Sequence, residues 1–352
     1  MGRPKVVGVA AEALSSAVDG TAAAAASLAS KSSALTTSRP DSAGESEPLK
    51  RGTRLPDPVR FALVVILSLS ISSYGHLFLQ FWTQGELHGI AKRPETYLLT
   101  LWKIFSLALG WFREYDGYDL AALALLSHGP ATYLRSVFYG LRGLTAGAYL
   151  AVDIVSACLP VLLLRKLSDA HSAAPGIQNR EIVLDRGIQV LTSALSGLIY
   201  CVVLFLASRT FLPRTFVLYF DGIPTVEPAS EMMFLGVNNP MTQLLSLLFG
   251  IAARTFIFTP LVTAPQQEVS EFDPADATLG QTVAWNLWGY TAKTKESISR
   301  TAVVALSTAV TTYLQCAEEI HGVEPYGALV YASVWVTAAV VTGLSLRYVG
   351  SV

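Results

Sequence analysis

The sequence predicts an all-α, polytopic membrane protein with about six transmembrane helices and additional interfacial amphipathic helices. Three observations carry that expectation. The 352 residues are 52% hydrophobic and only 14% charged, where soluble chains carry roughly 25% charged residues. The apolar residues gather into six blocks, 61–82, 143–164, 187–212, 240–264, 301–320 and 325–346, each 20–26 residues long. Those blocks hold only five charged residues, Asp153, Arg209, Arg254, Glu318 and Glu319. About 20 residues at 1.5 Å rise cross a hydrocarbon core of about 30 Å.

Residues 1–57 are of different composition. Ala, Ser, Thr and Gly dominate, with five consecutive alanines at 22–26 and the polar run Ser38 to Pro48. Such a segment buries too little apolar surface to offset ordering entropy, so a disordered cytoplasmic tail is expected. It lacks the continuous apolar stretch of a secretory signal. Its seven Lys/Arg against six Asp/Glu argue against a mitochondrial presequence.

Orientation is read from basic residues beside the blocks. Lys50, Arg51, Arg54 and Arg60 precede the first block or enter with it. Arg165, Lys166, Arg180 and Arg186 fill the connection between the second and third, and Lys293, Lys295 and Arg300 precede the fifth. The positive-inside rule then puts both termini in the cytoplasm.

Between the first two blocks, 95–140 reads as interfacial or re-entrant. Thr96, Thr100, Lys103, Ser106 and Gly110 make a narrow polar stripe at helical spacing, flanked by Trp102 and Trp111. Leu120 to Leu126 is a second apolar run that His128-Gly129-Pro130 is expected to cut short. If both segments cross, the count rises to eight. Trp285, Trp288 and Tyr290 ahead of Lys293 suggest another surface helix. Small residues at four-residue spacing are candidates for close helix packing: Gly143, Gly147 and Ala151 foremost, then Ser193 with Gly197.

Motifs that would carry chemistry are sparse. The five histidines show no HExxH spacing, and there is no GxSxG elbow, Walker lysine loop or dinucleotide glycine fingerprint. No metal and no cofactor are therefore expected. Cys158, Cys201 and Cys316 all lie inside apolar blocks, which speaks against a disulfide framework. A net charge of −1 offers no basic field for nucleic acid.

The remaining candidates are ionisable groups at membrane depth, which are costly there and usually have partners. Asp153 and Arg254 each lie near the middle of a block, and an ion pair between them is a natural expectation. Lys103, Glu318 and Glu319 are further intramembrane polar candidates. Asp116 and Asp119, with His128 beyond them, are the weak candidates for catalysis, of the kind a lipid or isoprenoid enzyme would use.

Three functional classes follow. A non-catalytic organiser or assembly component of an endomembrane, such as the endoplasmic reticulum of a eukaryote, leads because catalytic constellations are missing. A small-solute or ion transporter using Asp153 and Arg254 comes second, and a membrane-embedded enzyme third. The expected partners are the lipid bilayer, other membrane proteins or further copies of the chain.

Overall fold

The structure is a computed structural model that describes residues 56–83, 96–172, 179–224, 226, 240–264, 278–279, 282 and 291–350. The expected tail, up to residue 55, and the expected surface helix around Trp285–Tyr290 lie outside the described residues. The described elements belong to one compact unit, Leu55–Val352.

The helices in chain order are α1 (Asp57–Trp82), α2 (Thr96–Phe112), α3 (Gly117–Val137), α4 (Gly143–Leu164), α5 (Arg180–Leu184), α6 (Arg186–Thr210) and α7 (Leu212–Tyr219). Then come α8 (Pro240–Ala253), a π-helical segment (Arg254–Phe258), α9 (Thr259–Thr263), α10 (Ala292–Glu319) and α11 (Pro325–Gly350). No strand occurs among the described residues, only the isolated bridge Phe220–Val323. Five helical stretches are long and apolar enough to cross a membrane: Asp57–Trp82, Gly143–Leu164, Arg186–Thr210, Thr242–Thr263 and Pro325–Gly350. The chain is an all-α polytopic membrane protein.

The fifth expected block, 301–320, is only part of a longer helix. α10 runs for 28 residues from Ala292, and it is too polar to join the five. Its buried face carries Ser307, Thr308, Thr311, Thr312 and Gln315. A helix enclosed by protein needs no lipid-compatible surface on that face, so its hydropathy falls.

Enclosure by protein also accounts for α3. It packs against α4, α8, α10 and the π segment, and most of its side chains are buried. A helix lying on a membrane surface would leave a broad face open. At 21 residues and 1.5 Å rise it is about 31 Å long. Nor do His128-Gly129-Pro130 end it, because Pro130 lies inside the helix. Proline denies Leu126 its usual hydrogen bond, and the Thr308 hydroxyl of α10 donates to the Leu126 carbonyl instead, at 3.3 Å. Thr312 donates to the Ser127 carbonyl at 3.5 Å.

Contacts fix relative directions. Ascending along both chains, Asp119 meets Arg300, Leu126 meets Thr308, His128 meets Gln315 and Arg135 meets Glu319. α3 and α10 are therefore parallel. α2 and α3 form an antiparallel hairpin turned at 113–116, where Glu114 adopts φ 58° and the Tyr115 amide donates to the Gly110 carbonyl at 2.9 Å. Phe61 of α1 meets Trp111 and Phe112 of α2 at ring distances of 5.9 and 6.1 Å, so α1 is antiparallel to α2.

Close packing falls on the Ser193–Gly197 pair and not on the stripe expected foremost. Gly143, Gly147 and Ala151 are exposed on the outside of α4, and a Cβ on Gly147 would meet nothing within 4 Å. The tight crossing lies between α6 and α8. A Cβ on Gly197 would come within 2.7 Å of the Ser246 carbonyl oxygen, and one on Gly250 within 2.1 Å of the Ser193 oxygen. Spacing alone cannot tell which stripe turns inward.

Candidate functional site

Two polar centres sit inside the bundle, one near mid-length and one at an end. The mid-length centre is built around Asp153. Helix α4 carries it inward against α1 and α3, which supply imidazoles to its two carboxylate oxygens. His76 Nε2 lies 3.3 Å from Oδ1, and His128 Nδ1 lies 3.6 Å from Oδ2. Lys103, on the polar stripe of α2, donates from Nζ to Ser156 Oγ at 2.9 Å. Ser156 in turn donates to the Asp153 carbonyl at 2.9 Å. The neighbouring Trp102 ties α2 to α10 through its indole N–H, which donates to Thr311 Oγ1 at 2.9 Å.

The centre continues towards one end of the bundle. Gln315 Nε2 lies 3.0 Å from His128 Nδ1, and Arg135 pairs with Glu319 at the last turns of α3 and α10. Glu318 stands beside it, half-buried. The Gln315 Oε1 is a buried atom without a hydrogen-bond partner among the described residues, and His76 Nε2 meets Asp153 as an ion-pair contact rather than an aligned hydrogen bond. Towards the opposite end the lining turns apolar. Leu107 and Gly110 continue the Lys103 face of α2, and a Cβ on Gly110 would come within 2.6 Å of Leu120 Cδ2.

Arg254 is not part of this centre. It lies in the π segment, which packs on α3 as α4 does, and no ion pair joins it to Asp153 among the described residues. The expected Asp153–Arg254 pair is absent: Asp153 turns to α1 and α3, whereas the π segment packs on α3, α6, α8, α10 and α11 and not against α4. The π segment has its own cause. Pro260 cannot donate to the Phe256 carbonyl, and the helix widens there, with the Thr259 amide reaching the Arg254 carbonyl. Arg300 Nη1 satisfies the Phe256 oxygen at 3.0 Å.

The end centre is formed by Asp116, Asp119, His171 and Arg300. Asp116 caps α3, accepting from the Asp119 amide at 2.8 Å. Its other oxygen accepts from the Ser168 amide at 3.1 Å and hydroxyl at 2.8 Å, with His171 Nδ1 at 2.8 Å. Burial opposes its charge, but the His171, Asp119 and Ser168 hydrogen bonds prevail and hold the Asp116 carboxyl well below the usual carboxylate range. For His171, burial works against the proton and the Asp116 hydrogen bond and charge outweigh it, so its pKa is raised. Arg300 forks Asp119, with Nη1–Oδ1 at 2.7 Å and Nη2–Oδ2 at 3.2 Å, and Nε donates to Glu296 at 2.6 Å. Its guanidinium also stacks over Tyr115 and Phe256 at 4.8 and 5.0 Å.

One candidate ligand oxygen or nitrogen from each of Asp116, Asp119 and His171 falls within 4.8 Å of the others. A cation entering there would have to displace the Arg300 fork and a saturated N-cap, so these donors do not fit a metal. His128, grouped with the aspartates in sequence, belongs to the other centre. Sequence reasoning missed His76, Ser156, Gln315, Arg135, His171 and Arg300. His76 was detectable as an imidazole in a block without formal charges; the others needed the packing.

Fold and centres together define a multi-pass helical membrane protein with ionisable groups enclosed at mid-bundle. Comparison with protein-family models, with characterised proteins and with solved structures finds no match for the chain.

Proposed function

We propose that the protein is a transporter of a small solute or ion, with Asp153 at its intramembrane binding centre. One observation carries this reading: the Asp153 carboxylate faces imidazoles from two other helices, beside the Lys103 ammonium, in the enclosed part of the bundle. Charge at membrane depth is costly, and proteins that place it there commonly line a solute or proton path. An organiser, the class the missing motifs favoured, gains nothing from such a centre. The enzyme reading loses its candidates, since Asp116 and Asp119 are already engaged by His171, Ser168 and Arg300.

The reading includes eight crossings, α1, α2, α3, α4, α6, α8–α9, α10 and α11. The antiparallel hairpin of α2 and α3 supports this count, as does the length of α3. An endomembrane location is a proposal from the composition of the N-terminal tail alone.

The test is solute-driven current from the full-length protein in liposomes, over a panel of amino acids, carboxylates and inorganic ions. Transport predicts at least one current that Asp153→Asn abolishes. Folded protein with no Asp153-dependent current, recovered instead with stoichiometric protein partners, would return the organiser.

A further inference from the structure

Building on the transport reading, we propose that the Asp153 centre binds the proton itself, shared among Asp153, His76 and His128, and excludes alkali-metal cations. The proton would enter past His76 and Gln315 from the Arg135–Glu319 end.

The ligand set supports this choice. Hard cations seek a cage of about six oxygens. Here each carboxylate oxygen of Asp153 is turned to a ring nitrogen, His76 Nε2 at 3.3 Å and His128 Nδ1 at 3.6 Å. The Ser156 hydroxyl, one turn along α4, is already engaged, accepting from Lys103 Nζ at 2.9 Å and donating to the Asp153 backbone carbonyl. With the amino group lodged there, no oxygen cage is left for a second cation, whereas an imidazole gains or loses a proton without changing its place. Carboxylate and imidazole in contact titrate as a unit, so one proton can move within the set by rotation of an imidazole or rebinding.

Position along the bundle sets the direction. His76 sits within two turns of the α1 end at Trp82, and the Tyr149 ring lies beside it, centroids 5.6 Å apart. On the other side of Asp153, Gln315 leads from His128 towards Glu319 and Arg135. Charged and titratable neighbours facing the centre are Lys103 from α2, His128 and Arg135 from α3, His76 from α1 and Glu319 from α10. In the opposite direction the neighbours are apolar, with Leu107 of α2 and Leu120 of α3 both buried.

Imidazole nitrogen NMR on the full-length protein, labelled with 15N-histidine in lipid nanodiscs, tests the inference without measuring flux. His76→Gln and His128→Gln assign the two signals. Near the wild-type midpoint, Asp153→Asn should reduce the imidazolium population of both rings several-fold. Replacing choline by sodium or potassium at constant ionic strength should leave the wild-type titration unchanged, a comparison that needs no variant to fold. Rings indifferent to Asp153→Asn, or a titration displaced by sodium or potassium, would overturn the proposal. A coupled titration without any transport current would leave the proton site standing and remove only the transport reading.

Discussion

Arg300 holds the Asp119 carboxylate in a two-point fork, Nη1 to Oδ1 at 2.7 Å and Nη2 to Oδ2 at 3.2 Å, with Asp119 fully buried. The same guanidinium satisfies the Phe256 carbonyl left open by Pro260. One side chain thus joins α3, α10 and the π segment. Removing it by Arg300→Gln strands a buried carboxylate and should lower stability by about 3–5 kcal/mol. Arg300→Lys, lacking the planar fork, should recover only part of that. Adding Asp119→Asn to Arg300→Gln should restore a measurable fraction, read as melting temperature in detergent.

The Asp116–His171 pair predicts a stability window. Asp116, depressed below its ordinary 3.8, contributes fully above that value and loses its contribution as pH falls through the lower folded pKa. His171, raised above 6.5, contributes fully below 6.5 and loses its contribution as pH rises through the higher folded value. Protection of the 165–172 segment against hydrogen exchange should therefore be greatest between about pH 4 and 6.5 and decline on the alkaline side. In Asp116→Asn the alkaline decline should vanish; its persistence would mean that another group controls it.

The two small-residue stripes should respond oppositely to bulk. Gly250→Leu drives a side chain into the Ser193 backbone, 2.1 Å from where its Cβ would stand, and should cost at least about 1–3 kcal/mol. Gly147→Leu faces open space and should stay within about 0.5 kcal/mol of the parent. Equal melting temperatures for the two variants would show that the α6–α8 crossing is not rigid.

The eight-crossing arrangement puts the α2–α3 turn on the same side as both termini. In a cysteine-free background, a cysteine at the exposed position 114 should share its labelling side with one at 350, and one at 222 should label from the other. Labelling of 114 together with 222 would restore the six-span reading.

Asp153 and Arg254 should behave as strangers. Their single and double substitutions, Asp153→Asn and Arg254→Gln, should add to within about 0.5 kcal/mol in unfolding free energy. A coupling larger than that would require a contact the packing does not contain.

Fold class was legible in the sequence because lipid-facing helices must be apolar around most of their surface, and that demand is written residue by residue. Ile66, Leu77 and Phe78 of α1 are exposed in the bundle, and they are part of what made 61–82 readable as a span. Asp153 was legible for the converse reason, as a charge where charge is costly. The innermost helices were read only in part because protein, not lipid, surrounds them: the apolar block 301–320 covers part of α10, and α3 read as an interfacial or re-entrant segment. α3 can carry Asp119, His128, Pro130 and Arg135, and α10 a face of threonines, since each meets a partner on a neighbouring helix. Which partners those are depends on how helices far apart in sequence rotate and cross. Tertiary structure alone gave Asp153 to His76 and His128 instead of Arg254, gave Asp119 to Arg300, and turned Gly250 inward while Gly147 faces out.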